Sequence, residues 1–79
     1  MLKYKRVMKM LNNTIGKIIR RVREINDMNQ EEVAAQLNIR RQTLSAYETG
    51  RSVPNIYILL ELASFFRVSI EDLTRNVKL

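Results

Sequence analysis

The sequence predicts an all-α fold, a single bundle of five helices. Apolar residues recur at intervals of three and four along most of the chain, which is the spacing of an amphipathic helix. Residues that cap helix beginnings precede several of these stretches, and residues that tolerate positive φ follow others. The chain contains no internal repeat, low-complexity tract or linker rich in Pro and Gly. Its 79 residues leave room for one hydrophobic core.

Composition narrows the range of possible functions. The chain contains neither Cys nor His, which removes disulfides and the common zinc and iron sites, so we expect no metal or other cofactor. Its two glycines cannot form a glycine-rich phosphate loop, and no spacing of reactive side chains indicates an enzyme. The net charge of +6 favours a polyanionic partner, either a nucleic acid or an anionic membrane surface.

Hydropathy indicates a cytoplasmic protein that does not cross a membrane. The longest continuous apolar run is Ile56–Leu60, which is far too short to span a bilayer. The N-terminal stretch is basic but lacks the continuous apolar region of a signal peptide.

Residues 1–13 are predicted to form a basic extension ahead of the main domain. Residues 1–11 carry four Lys or Arg and no acid, and their apolar residues could line one side of a short helix. Such a helix is marginal in water when isolated. Three interpretations stay open: a frayed or loosely docked segment; an arm that contacts DNA or a turn that packs on the domain or a dimer partner; and a membrane-surface helix.

Helix limits within the main domain, residues 14–75, follow from periodicity and caps. Asn12–Thr14 interrupts the pattern and can cap the first helix. Asn29 and Glu32 have the spacing of a capping box for the second helix. Residues 76–79 are expected to form a tail. The predicted helices are about Thr14–Asn26, Gln30–Leu37, Arg40–Gly50, Ile56–Phe66 and Ile70–Arg75.

Further capping residues support these limits. Asp27 follows the first helix and tolerates the left-handed conformation better than most residues. Asn55 can cap the fourth helix, and Ser69 with Asp72 resembles a second capping box, at the start of the fifth helix.

The second and third helices are predicted to form a helix-turn-helix. Asn38 can adopt positive φ and make the sharp turn between them, and Ile39 fills the junction. Two short helices joined by about three or four residues describe this motif. The third helix is expected to begin near Arg40 and Arg41, without an obvious capping residue.

Three fragments in this order and spacing resemble the DNA-binding domain of the phage repressor and Cro family, also called the xenobiotic-response-element family. The resemblance covers roughly residues 14–74 and implies a five-helix bundle of the lambda-repressor-like type, with its third helix in the major groove of DNA. The fragments are Ile15-Gly16-x-x-Ile19-Arg20-x-Val22-Arg23, Asn29-Gln30-Glu31-Glu32-Val33-Ala34 and Thr43-Leu44-Ser45-Ala46-Tyr47-Glu48-x-Gly50.

The resemblance implies two sets of DNA contacts. The residues placed against base edges can pair with guanine or adenine, or touch a thymine methyl, and they are Arg41, Gln42, Thr43 and Ala46. The residues placed against phosphates are Gln30, Arg40, Arg51, Ser52 and Asn55. The alternative is that these side chains are simply polar and solvated, and make no DNA contact. It applies to Arg41 and Gln42 on the third helix and to Gln30 in the first turn of the second helix.

Glu48 is an acid on a unit expected to face DNA. In the family, the acid at this position pairs with an arginine of the first helix, which is Arg23 in this chain. We therefore expect a structural ion pair that holds the first helix against the third, although Arg23 could also touch phosphate.

The fourth helix is apolar nearly all round and has a surplus apolar face. We expect its core side to consist of Ile56, Leu59, Leu62, Ala63 and Phe66. Tyr57, Ile58 and Phe65 share a different face and are candidates for a homodimer surface, since the family binds paired half-sites. The alternative is a more enclosed helix with the N-terminal extension packed on it.

Two functions from different classes follow. The first is a sequence-specific transcriptional regulator of double-stranded DNA, a homodimeric repressor without catalysis. The second is a protein-interaction module, such as the antitoxin of a toxin–antitoxin pair, with DNA binding secondary.

Overall fold

Five helices and no strands make up the part of the chain described by a computed structural model, which gives the backbone of residues 2–74 and the side chains of residues 14–74. The predicted all-α fold is confirmed. In chain order the helices are α1 (Leu2–Ile25), α2 (Gln30–Leu37), α3 (Arg41–Glu48), α4 (Ile56–Phe66) and α5 (Ile70–Thr74).

The first helix begins at Leu2, so the predicted start near Thr14 is wrong. Asn12–Thr14 lies inside the helix instead of capping it. Asn and Thr cost at most about 0.7 kcal/mol per residue in a helix interior, and extending a helix is easier than nucleating one. The division of the chain at residue 13 and the role of the extension's side chains stay predictions.

Short-range caps end α1 and enclose α2 as predicted. Asp27 has φ 55° and closes the turn after α1. The Asn29 side chain accepts a hydrogen bond from the Glu32 amide (2.8 Å), and the Glu32 carboxylate accepts one from the Asn29 amide (3.0 Å). Asn38 has φ 56°, and the following Ile39 amide donates to the Ala34 carbonyl oxygen (3.0 Å). The capping box and the turn residue are confirmed.

The start of α3 lacks a side-chain cap, as the sequence indicates. Arg40 is the extended residue before the helix, and its side chain makes no capping hydrogen bond. The helix ends at Glu48, two residues before the predicted end, and Gly50 with φ 79° completes the turn.

Caps also define the last two helices. Asn55 accepts from the Ile58 amide (3.0 Å), and Ser69 and Asp72 exchange two hydrogen bonds (3.0 and 3.1 Å). The sequence did not indicate Arg67, which ends α4 with φ 57°. The predicted α5 limit at Arg75 and the tail 76–79 lie outside the described residues.

One hydrophobic core joins the helices. Helix α1 packs against α3 and α5, α2 against α3 and α4, and α4 against α5. The buried apolar side chains are Ile15, Ile19, Val33, Ala34, Leu37, Leu44, Leu59, Leu62, Ala63 and Leu73. On α4, Leu59, Leu62 and Ala63 are core residues as predicted, and Phe66 packs partly buried against them.

Ile56 is 53% exposed, so its predicted core position is wrong. The helical period places it at the edge of the apolar side of α4, and the packing of neighbouring helices decides which edge is covered.

Gly16 lies where α1 and α3 approach each other closely. A Cβ at this position would overlap the carbonyl oxygen of Tyr47 and stand 2.9 Å from that of Glu48. Only a residue without a side chain lets the two helix backbones meet here, and this contact sets how α3 lies against the bundle.

Candidate nucleic-acid interface

The outward side of α3 and the loop after it form one shallow concave surface. Arg41 and Gln42 are exposed in the first turn of α3, with Thr43 half-buried after them. The residues that line the concavity come from both segments, and they are Arg40, Gln42, Thr43, Ala46, Arg51 and Ser52. The fold therefore brings together residues assigned by the sequence to bases and residues assigned to phosphates.

Asn55 lies just beyond this surface, exposed and at the start of α4. Its side-chain oxygen accepts a hydrogen bond from the Ile58 amide, and its side-chain nitrogen can donate to a ligand. The Nε atom of Arg51 donates to the Thr49 hydroxyl (3.3 Å), which orients an otherwise exposed guanidinium.

Arg23 and Glu48 form a buried bidentate ion pair behind this surface. Arg23 Nε lies 2.7 Å from Glu48 Oε2, and Nη2 lies 2.9 Å from Oε1. The side chains are only 12% and 2% exposed, respectively. The hydrogen bond to Glu48 raises the pKa of Arg23, and burial opposes that shift. The third nitrogen of Arg23 donates to the Met28 carbonyl oxygen (2.9 Å). One guanidinium thus ties α1 to α3 and to the turn before α2.

Gln30 extends this pair toward the outward side of α3. Its Nε2 donates to Glu48 Oε1 (3.1 Å), and its Oε1 accepts from Arg41 Nη1 (3.4 Å). The partners are 18 and 11 residues away, so no local spacing indicates either contact. Sequence reasoning placed Gln30 at a phosphate and missed both. Only the packing of α2 across the two ends of α3 brings these groups together.

The outer side of α1 carries a second basic surface. Lys17, Arg20 and Arg21 are exposed there, and Arg20 pairs with Glu24 at 3.3 Å. Both side chains of that pair are more than half exposed, so it lies in solvent, unlike Arg23 and Glu48.

Apolar side chains are also exposed on α4. Tyr57, Ile56 and Leu60 are 72%, 53% and 50% exposed, and their spacing places them on one side of the helix. Of the other dimer candidates, Ile58 is half-buried against the core. Phe65 is partly exposed and packs edge-on against Phe66, with ring centroids 4.9 Å apart. The exposed apolar area is therefore centred on Ile56, Tyr57 and Leu60.

The described residues contain neither a metal-binding cluster nor a membrane-spanning helix. No cluster of three or more acidic side chains there could hold a metal ion. No described helix is both long enough and apolar enough to cross a membrane.

A helix-turn-helix family model matches residues 19–73, more than half of the chain. The chain belongs to the phage repressor and Cro family of helix-turn-helix proteins. This helix-turn-helix family is one of transcriptional regulators, and membership implies DNA binding.

Three proteins similar to this chain are named as having different roles. An uncharacterised helix-turn-helix-type transcriptional regulator of Methanocaldococcus jannaschii is 37% identical over 65% of this chain and 77% of its own length. The cryptic phage CTXphi transcriptional repressor RstR of Vibrio cholerae is 40% identical over 73% of this chain and 52% of its own length. Multiprotein-bridging factor 1 of Candida glabrata is 37% identical over 65% of this chain and 34% of its own length.

The chain thus spans about three quarters of the first relative and about half or less of the other two. No solved structure matches it.

Proposed function

We propose that the chain is a sequence-specific DNA-binding repressor that inserts α3 into the major groove. The observation that carries this proposal is the concave surface of α3 and its following loop, on which base-type and phosphate-type donors lie side by side. The buried Arg23–Glu48 pair holds this helix against α1, so the surface is preorganised for a ligand.

The base contacts assigned to this surface come from the first turns of α3. Arg41 can donate two hydrogen bonds to guanine, and Gln42 can exchange two with adenine. Thr43 offers a hydroxyl or a methyl group, and Ala46 can touch a thymine methyl. Arg41 and Gln42 are exposed, so neither needs a change of helix position to reach a base edge.

Phosphate contacts would flank the bases on two sides. Arg40 precedes α3, and Arg51 and Ser52 follow it on the same concave surface. Asn55 keeps a free amide nitrogen near the same end, and Gln30 begins α2 at the positive end of a helix dipole. Such contacts position the protein without reading sequence.

The dimeric form of the proposal rests on α4. The exposed apolar surface of Ile56, Tyr57 and Leu60 would be covered by a second copy of the chain. Of the residues named as dimer candidates, Ile58 and Phe65 lie on another side of α4. Two copies would read half-sites about one DNA turn apart. A monomer in sedimentation at high micromolar concentration would count against this part of the proposal.

Repression, without catalysis, is the regulatory outcome we propose. One relative is named as a phage transcriptional repressor, and binding to DNA by itself can block a promoter. We also propose a cytoplasmic location, with which this role is compatible.

A protein-interaction role, of which an antitoxin is one form, is the second candidate. The exposed apolar side of α4 favours it, and one relative is named as a multiprotein-bridging factor. In that case a different protein would cover α4.

Selection of bound duplexes from a random DNA pool tests the proposed function. We expect a palindromic motif whose affinity falls steeply with salt, with a log–log slope of about 0.9 for each phosphate contact. Recovery of one unpaired half-site would support the DNA-reading part of the proposal and contradict the dimer. A pool without enrichment would favour the protein-interaction role.

A further inference from the structure

Most of the positive charge of the chain lies on α1. Eight of the 14 Lys and Arg residues belong to this helix, together with one of the eight acids. The rest of the chain has six basic and seven acidic residues, so it is close to neutral. The attraction of a polyanion by net charge is therefore a property of α1 more than of α3 and the loop after it.

Three of these cations are exposed on one side of α1, and they are Lys17, Arg20 and Arg21. Gly16 and Arg23 mark the side of the helix that contacts α3. The helical period places Lys17 and Arg21 roughly 110° and 150° around the axis from that contact. Their charges are therefore directed away from α3.

The exposed cations border a shallow concavity that shares no residue with the one on α3. Glu24 lies beside it and pairs with Arg20 at 3.3 Å, but the surface keeps an excess of positive charge. Between the described residues, Lys17 and Arg21 form no ion pair. They are four positions apart, so their side chains are neighbours along α1. Two long, flexible cations in a row can each contact a phosphate of one nucleic-acid strand.

The structure favours duplex DNA over a membrane as the partner of this surface. A membrane-surface helix needs an exposed apolar side next to its charged side. On the described part of α1, the apolar side belongs to the core, with Ile15 and Ile19 buried, and Ile25 is exposed at the end of the helix. A duplex presents rows of phosphates and requires no apolar contact.

We propose that the outer side of α1 holds the phosphates of a second duplex segment while α3 reads the first, so that one molecule joins two segments of DNA. This inference rests on the proposed function for the first segment, and it assigns a ligand to a surface that base reading does not use. Lys17 and Arg21 supply the contacts, which are independent of sequence. Because both cations are directed away from α3, a duplex bound at α3 leaves them exposed.

Capture of a second duplex tests the proposal. The duplex recovered from the random pool is fixed to a surface, saturated with the protein and exposed to a labelled duplex of unrelated sequence. We expect the protein to retain the label. The double substitution Lys17→Gln/Arg21→Gln should lower retention about tenfold, with a salt slope smaller by about two. Affinity for the fixed duplex should change less than about twofold. Undiminished retention in this variant would overturn the proposal.

Two further variants control for net charge and for the identity of the side chains. Arg67→Gln removes an exposed cation at the end of α4, and retention should fall less than about twofold. The exchange Lys17→Arg/Arg21→Lys keeps both charges and should keep retention. An equal loss per charge in Arg67→Gln, or a loss in the exchange variant, would overturn the proposal. Circular dichroism should be the same in all variants, which excludes unfolding as the cause.

Amide NMR spectra keep this inference separate from the proposed function. With a short duplex of unrelated sequence, the signals of residues 17–21 should shift in an Arg41→Ala variant as they do in the unmodified protein. These shifts together with an unenriched DNA pool would support duplex binding by α1 and contradict base reading by α3. An enriched pool without shifts at residues 17–21 would support base reading and overturn the α1 surface. Tighter binding to phosphatidylserine vesicles than to duplex would also overturn it, in favour of a membrane.

Discussion

The two sides of α3 both carry charged side chains, but those on the inward side are buried and those on the outward side are exposed to solvent. On the inward side, Glu48 is nearly inaccessible and is held by two hydrogen bonds from Arg23. On the outward side, Arg41 is exposed and makes one long contact, to Gln30. A buried charge that loses its partner is costly, whereas an exposed one is rehydrated by water. Substitutions on the inward side of α3 should therefore act on folding, and substitutions on the outward side should act on binding.

The largest effect is expected for Glu48→Ala. It leaves the Arg23 guanidinium buried without its anion, so the free energy of unfolding should fall by about 3–5 kcal/mol. Urea unfolding followed by circular dichroism measures this change. Glu61→Ala is the control, because Glu61 is exposed on α4 and should change stability by less than about 0.5 kcal/mol. Equal effects of the two substitutions would contradict the distinction between the sides of α3.

Gly16→Ala tests the backbone contact on the same inward side. Alanine would add up to about 1 kcal/mol of helix propensity, but its Cβ overlaps the backbone of α3. Backbone atoms cannot rotate away as a side chain can, so we expect a net loss of about 1–3 kcal/mol in unfolding free energy. The matched substitution at the next residue, Lys17→Ala, is exposed and should be nearly neutral. A stabilised Gly16→Ala variant would show that α1 and α3 can separate freely.

Arg41→Ala tests the outward side. Stability should change by less than about 0.5 kcal/mol, because the side chain is exposed. Binding to the selected duplex should weaken by about 1–3 kcal/mol, with relaxed preference at one base pair. Fluorescence anisotropy with labelled duplexes measures the affinity and the base preference. Arg21→Ala removes the same charge from the outer side of α1, and an equal loss of binding there would mean that net charge, rather than base reading, is responsible.

The smallest effect is expected for the exposed pair of Arg20 and Glu24. Removal of both partners in a double-mutant cycle should give a coupling energy of about 0.3–0.5 kcal/mol that disappears in high salt. Thermal unfolding at two salt concentrations is the measurement. A coupling energy above about 2 kcal/mol would contradict the expected difference in strength between this exposed pair and the buried pair Arg23–Glu48.

Helix limits set by a local signal were predictable. Asn29 with Glu32 defines the start of α2, Asn38 defines its end, and Asn55 defines the start of α4, because each makes its bonds within a few residues. The start of α1 was not predictable from a local signal. Capping residues such as those in Asn12–Thr14 favour a helix start without requiring one, and the helix runs through them.

The candidate site divides in the same way. The resemblance located the α3 surface and the Arg23–Glu48 partners, since both depend on positions along a known motif. It did not indicate that Gln30 contacts Glu48 and Arg41, because these contacts need two helices at a particular distance. Nor did periodicity decide that Ile56 is exposed while Leu59 is buried, since both belong to one continuous apolar stretch.

The amino-acid sequence was sufficient to predict the all-α class, the caps of α2, α4 and α5, and a basic chain without Cys or His. Each of these depends on composition or on residues a few positions apart. Helix packing was needed for Gly16 to set the approach of α1 to α3 and for Gln30 to connect the buried ion pair to the outward arginine. The physical reason is range: capping and periodicity act within one or two helical turns, whereas burial and side-chain pairing depend on which helix lies opposite.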